Sequence, residues 1–310
     1  MPSRPLRPIR DPALVATRQL VLPGGNALAF TLYGDPDGRP MHFFHGFPSS
    51  RLLAALVHES AIAAGICLIA ADRPGFGKSS PVPDRTMLDW CDTVSRLADH
   101  LGQQEIEIIG VSCGGAYALA CAATMPDRVR LVGLLAGMGP MDVPAIRKTQ
   151  AGALKLMFGL SRLDRRLAAP IFALDRMIFR GNQDRALQTV ARLLTPPDRM
   201  SLESDPELAR RFVASMAEAY AQGIDAAIHE AWLIAQPRPY RLADIHVPVH
   251  VFQGGVDRHV PAAMGAHIAG SIPGARLHLF PDEGHLSIVT NRFPDCVAAL
   301  DGAASSIVTK

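Results

Sequence analysis

Gly110-Val111-Ser112-Cys113-Gly114 decides how this chain is read. The pentapeptide is a G-x-S-x-G set between an apolar run, Ile106–Val111, and a run of small residues, Gly114–Ala123. The first run reads as a buried strand and the second as a closely packed helix, so the five residues fall on a sharp strand-to-helix turn. Such a turn lifts the Ser112 hydroxyl clear of the backbone. Gly110 and Gly114 allow the close backbone approach that the turn demands.

A serine hydroxyl is a weak nucleophile and needs a base within hydrogen-bond reach, itself oriented by a third group. The downstream sequence supplies both. Asp257 lies in Gly254-Gly255-Val256-Asp257-Arg258-His259-Val260-Pro261, just past the apolar run Val247–Phe252, and His285 ends Asp282-Glu283-Gly284-His285, just past Ala275–Phe280. Each follows a strand, so all three residues are expected on loops at one edge of one sheet. Asp142, shortly after the run Val129–Leu135, is an alternative acid. His259 is a weaker candidate base, only two residues from Asp257. Charge developing on a carbonyl oxygen also needs donors, commonly two backbone N–H groups. Cys113, directly after Ser112 at the amino end of a helix, offers one, and its thiol is not expected to react. Phe47, in His45-Gly46-Phe47-Pro48, offers the other, with Gly46 permitting the bend.

The chain has 310 residues, 48% of them hydrophobic, and a formal net charge of +2. It can therefore bury a large core, and nothing in its charge points to nucleic acid or a membrane surface. Val111–Met138 is the most apolar stretch, but Pro126, Asp127, Arg128 and Arg130 interrupt it well short of the roughly 20 apolar residues that a membrane span needs. Met1–Arg10 carries three arginines among prolines without the apolar segment of a secretory signal, and reads as a disordered arm. Cys67, Cys91, Cys113, Cys121 and Cys296 are odd in number and lack C-x-x-C spacing, which favours reduced thiols and a cytoplasmic location.

Strand patterns open the chain, at Arg18–Leu22, Ala27–Tyr33 and Met41–Phe44. A helix capped by Ser49 or Ser50 runs to about Ala64, followed by strand Ile66–Ala71 and an amphipathic helix over Met87–Leu101. Strand and helix then alternate through Leu135, the rhythm of a parallel sheet covered by helices on both faces. From about Pro144 to Gln236 only helical patterns occur: Ala145–Leu160, Arg165–Arg180, Asp184–Leu194, Pro206–Gln222 and Ile224–Ala235, with Pro196-Pro197 among the separators. Strand character returns at Val247–Phe252 and Ala275–Phe280, around a helix at Ala262–Ala269, and a last helix covers Pro294–Ala303. The expected organisation is a core of residues 1–139 and 238–310 with an inserted helical lid over residues 140–237.

Five motifs in this order resemble the α/β-hydrolase fold superfamily: His45-Gly46-Phe47-Pro48 its oxyanion loop, Asp72-Arg73-Pro74-Gly75-Phe76-Gly77-Lys78-Ser79 its D-x-x-G-x-G-x-S turn, Gly110–Gly114 its nucleophile elbow, and the Asp257 and Gly284-His285 segments its acid and base. The Gly-Lys-Ser of the second is not a phosphate-binding loop, because Asp72 stands where that motif needs glycine. The resemblance implies an α/β fold with a mostly parallel eight-stranded sheet flanked by helices, an all-helical cap, and a Ser-His-Asp serine hydrolase that uses no cofactor and no metal. Serine at the elbow argues against epoxide opening and dehalogenation, for which members carry aspartate.

The expected activity is cleavage of small to medium carboxylic esters through an acyl-enzyme, with catalytic residues Ser112, Asp257 and His285 and an oxyanion hole of the Phe47 and Cys113 amides. The alternatives are hydrolysis of a carbon–carbon bond in a vinylogous diketone, which uses the same triad, and a weakly catalytic receptor for a small ligand. A lyase is a more distant alternative. The expected partner is a small molecule with an apolar acyl or alcohol portion, with homo-oligomer formation left open. Met157, Phe158, Phe172, Phe179, Phe212 and Met216 are among the lid residues expected to form its core or line the pocket.

Overall fold

Eight strands form one sheet in the order β1-β2-β4-β3-β5-β6-β7-β8. They are β1 (Arg18–Val21), β2 (Ala27–Gly34), β3 (Arg39–Phe44), β4 (Ile66–Ala71), β5 (Ile106–Val111), β6 (Val129–Leu135), β7 (Val249–Gly254) and β8 (Arg276–Phe280). The structure is a computed structural model that describes residues 16–308, with side chains described through residue 303. β1 pairs with β2 and β2 with β4 antiparallel, whereas all remaining pairs are parallel. β4, β5 and β7 are buried along their whole length, as strands covered by helices on both faces must be. The Met1–Arg10 stretch lies outside the described residues.

The helices are α1 (His58–Ala63), α2 (Leu88–His100), α3 (Cys113–Thr124), α4 (Gly152–Leu163), α5 (Ala169–Phe179), α6 (Gln183–Ala191), α7 (Pro196–Ser204), α8 (Pro206–Ala219), α9 (Asp225–Ala235), α10 (Ala262–Ser271), α11 (Ser287–Asn291) and α12 (Phe293–Val308). Between β6 and β7 the described chain is helical wherever it is regular, as the sequence leads one to expect. None of the helices is long and apolar enough to cross a membrane among the described residues. All five cysteines are free and buried.

Three local expectations need correction. The helix expected over Ala145–Leu160 is a 3-10 turn at Pro144–Arg147 and, after a break at 148–151, α4. The helix expected from Ser49 or Ser50 to Ala64 begins as a 3-10 turn over Arg51–Val57 and becomes α1 only at His58. Ser50 caps it, and the N–H of Arg51 is taken by Asp72 Oδ1 at 2.7 Å. Pro196-Pro197, expected to separate helices, instead starts α7. Proline is tolerated in a first helical turn, where its missing N–H would have had no partner.

The chain places β4 on one side of β3 and then returns to place β5 on the other. Outside the carboxyl ends of β3 and β5 this reversal of direction opens a crevice. Phe44, the last residue of β3, is paired with Gly110 of β5, so the loops leaving the two strands start about 5 Å apart. The turn after β5 is packed without spare room: a Cβ on Gly114 would stand 2.1 Å from the carbonyl oxygen of Phe44, and one on Gly110 2.8 Å from that of Gly114. Gly114→Ala must therefore shift backbone, and on the order of 3 kcal/mol of stability should be lost, measured as a lower urea midpoint. An unchanged midpoint would contradict this packing.

Candidate active site

Ser112 sits at φ 53° and ψ −123°, a conformation that costs a non-glycine residue energy and is held here by its surroundings. Its N–H donates to the carbonyl of Leu135 at 3.0 Å, while its own carbonyl accepts from Gly115 at 2.9 Å and Met138 at 2.8 Å. With its backbone fixed from three sides, Ser112 projects into a cavity of about 250 Å³ that His285, His259, Phe47 and Cys113 also line.

His285 follows β8 and Asp257 follows β7. The His285 Nδ1–H donates to Asp257 Oδ2 at 2.8 Å, which leaves Nε2 as the free ring nitrogen. The other oxygen of Asp257 accepts from the N–H groups of His259 at 2.7 Å and Val260 at 2.9 Å, so this carboxylate cannot rotate away. Asp142 is exposed and does not take the acid's place. Burial works against a charged His285, but the carboxylates of Asp257 and Asp198 outweigh it and raise its pKa above the ordinary 6.5. His259 stacks on the His285 ring at 4.9 Å between centroids. Burial, with repulsion from His285, pushes its pKa down to about 4, and so it stays neutral.

Asp198, on the helix that the sequence did not disclose, is the residue whose importance was missed. Its Oδ1 accepts from the N–H groups of Leu286 at 2.8 Å and Ser287 at 2.9 Å, and its Oδ2 from that of His285 at 3.1 Å and the Thr195 hydroxyl at 2.7 Å. Although burial opposes ionisation, these bonds hold the carboxyl below its usual range. The loop carrying His285 is thereby fastened to the helical segment. The three residues Thr195-Pro196-Pro197 before Asp198 hold the only signal, a proline-led helix start, and it reads equally well as a break.

Arg73 and Glu230 were also missed. The loop after β3 is shaped by the Arg73 guanidinium, which donates to the carbonyls of His45 at 2.5 Å and Gly46 at 2.8 Å. In a planar trans peptide the N–H points opposite to the C=O, so gripping the Gly46 carbonyl turns the Phe47 N–H the other way. Gly46 itself lies beside Ser112: a Cβ on it would touch the Ser112 Cβ at 3.4 Å. Neither the Phe47 nor the Cys113 N–H donates to another group among the described residues. Cys113 itself is buried and burial pushes its thiol up to about 12, so the sulfur stays protonated. His45, kept neutral by burial and the neighbouring Arg73, donates Nδ1–H to the Gly46 carbonyl at 2.9 Å and accepts the Arg73 N–H at Nε2.

Arg73 is wholly buried, as is its partner Glu230 on α9. The Arg73 Nε donates to Glu230 Oε1 at 2.7 Å, and Oε2 accepts from Arg85 and from the Tyr117 hydroxyl. Burial alone would raise the Glu230 pKa, but the two guanidiniums hold it at about 2. Glu230→Gln would leave two buried cations around a neutral group. About 3 kcal/mol of stability should disappear and exchange of the Arg73 amide, which donates to His45 Nε2, should accelerate, by denaturant titration and hydrogen exchange respectively. Asp198→Asn should instead act on His285: with one carboxylate fewer its pKa falls, and any pH-dependent step that needs the neutral imidazole moves its acid limb to lower pH. A proton NMR titration of His285 checks the sign.

The family model for the α/β-hydrolase fold matches residues 39–292. A 2-hydroxy-6-oxononadienedioate/2-hydroxy-6-oxononatrienedioate hydrolase of Cupriavidus pinatubonensis is 32% identical over 73% of this chain and 72% of its own. A 2-hydroxy-6-oxo-6-phenylhexa-2,4-dienoate hydrolase of Burkholderia cepacia is 30% identical over 72% of each. Among solved structures, an esterase of Thermogutta terrifontis superposes with a TM-score of 0.67 at 22% identity over 94% of this chain and 99% of its own, and an enol-lactonase of Burkholderia xenovorans with 0.65 at 18% over 94% and 98%. The sheet order, the strained serine turn and these matches agree, and the chain belongs to the α/β-hydrolase fold family.

Proposed function

We propose that the protein is a serine hydrolase acting on small carboxylic esters, with residues 140–237 as a cap over the site. Ser112 attacks the ester carbonyl, and His285 takes its proton and delivers it to the leaving alcohol. Asp257 holds His285 in the Nδ1–H tautomer and stabilises the imidazolium that forms. The Phe47 and Cys113 amides receive the oxyanion, one aimed by Arg73 and the other at the amino end of α3, where the helix dipole favours negative charge. Water then attacks the acyl-enzyme by the same route in reverse.

The observation that carries the ester reading is the lining of the cavity. Its walls are predominantly apolar, among them Leu53, Met157, Phe158, Phe179, Phe212 and Val289, and none of the lining residues is a lysine or arginine. At about 250 Å³ it is smaller than the roughly 300 Å³ at which pockets for drug-sized ligands begin. A dienedioate or dienoate, as in the names of the relatives, carries one or two carboxylates whose burial calls for a cationic partner. The identity of 30–32% to those hydrolases nevertheless supports carbon–carbon bond cleavage as the second reading.

A fluorophosphonate should label Ser112, with the site located by peptide mass spectrometry. Ser112→Ala should lower kcat on p-nitrophenyl butyrate by about 10⁴-fold or more. Rapid turnover of a 2-hydroxy-6-oxodienoate with idle butyrate esters would replace the first reading by the second. Absence of both labelling and turnover would point to a ligand receptor on the same fold.

A further inference from the structure

One wall residue of the cavity has no place in the ester chemistry. Helix α5 carries Phe172, Asp175 and Phe179 at spacings of three and four, which puts them on one face. Phe172 and Phe179 are buried on that face, and Asp175 and Phe179 line the cavity with Ser112 and His285. An ionisable carboxylate has therefore been set among phenylalanines, methionines and leucines.

Asp175 is poorly compensated where it sits. Its partner among the described residues is the hydroxyl of Tyr220, which donates to Oδ2 over a long 3.3 Å. No ion pair among the described residues reaches it, although Arg176 is next in the chain; Arg176 and Arg180, the latter just past the end of α5, are both exposed. Burial raises its carboxyl above the usual range, against the pull of the Tyr220 hydroxyl. A half-buried anion with one weak hydrogen bond is costly, and a neutral side chain would serve Tyr220 as well. The arrangement is complementary to a cation brought by a ligand. The phenylalanine rings on the same cavity, Phe158, Phe179 and Phe212 besides Phe47, favour the same kind of group, since a ring face attracts a positive charge.

We propose that Asp175 is a specificity-determining residue, forming with the aromatic wall a subsite for an alkylammonium group on the substrate. This rests on the ester reading and deepens it: the substrate class is a small ester whose acyl or alcohol portion ends in a cationic nitrogen. Esters ending in a carboxylate are turned away, by the Asp175 charge and by the lack of a cation in the lining.

Esters of equal size ending in trimethylammonio, tert-butyl or carboxylate, placed in turn on the acyl and the alcohol side, test this. In the native protein kcat/KM for the ammonium ester should exceed that of its tert-butyl isostere by about tenfold on one of the two sides, with the carboxylate ester lowest. Asp175→Asn and Asp175→Ser should both bring the ammonium to tert-butyl ratio towards one. Equal kcat/KM for the two isosteres in the native protein, or a ratio that survives both substitutions, overturns the proposal. The hydrolase reading fails separately, if no ester turns over and no fluorophosphonate adduct forms. The subsite is then read by binding: butyltrimethylammonium should raise the melting temperature of the native protein and not that of Asp175→Asn, and an equal effect on both overturns it.

Discussion

The buried ion pair of Arg73 with Glu230 is the interaction on which the geometry around Ser112 depends. A wholly buried pair is a poor source of stability in itself, because removing two charges from water costs about as much as their attraction returns. Its effect here is directional. One guanidinium spends its donors on the carbonyls of His45 and Gly46 and on Glu230, so the backbone after β3 is fixed with its carbonyls turned towards Arg73. Since Glu230 belongs to α9, the same contact fastens the helical segment to the sheet edge.

A second fastening works on the other side of the site. Asp198 of α7 gathers three consecutive backbone N–H groups from the loop that carries His285. The helical segment thus positions both the loop facing the candidate nucleophile and the loop bearing its candidate base. Arg51 adds a third tie, from Asp72 in the turn after β4 to Glu218 on α8. Pocket walls and polar apparatus are in this way set by the same helices, and a change in their packing alters both together.

Much of the frame was legible in the residues. β4, β5 and β6 fall where apolar runs predict them, because a strand covered on both faces has to be apolar along most of its length and local composition decides it. Ser112 was legible for a similar reason: the strand, the glycines and the small-residue helix lie within a few residues of one another. Pro196-Pro197 misled because proline both ends helices and begins them, and only the packing of the turn after it distinguishes the two. Arg73 was visible as part of a loop motif, but its partner stands 157 positions away, on a helix whose other residues are ordinary. Arginines and glutamates of this kind more often lie on a solvated face, and nothing local marks one that will be buried.

The sequence by itself determined the order of the strands and of the helices other than α7, the sharp turn at Ser112, and the arrival of Asp257 and His285 on loops after successive strands. These follow from short-range rules of steric fit and hydrophobic period. Tertiary structure alone decided which carboxylate meets His285, which way the Phe47 amide faces, and that Asp175 looks into an apolar cavity without a cation. Each of these is an electrostatic choice among groups far apart in the chain, and only the folded chain sets the distances and the burial that decide it.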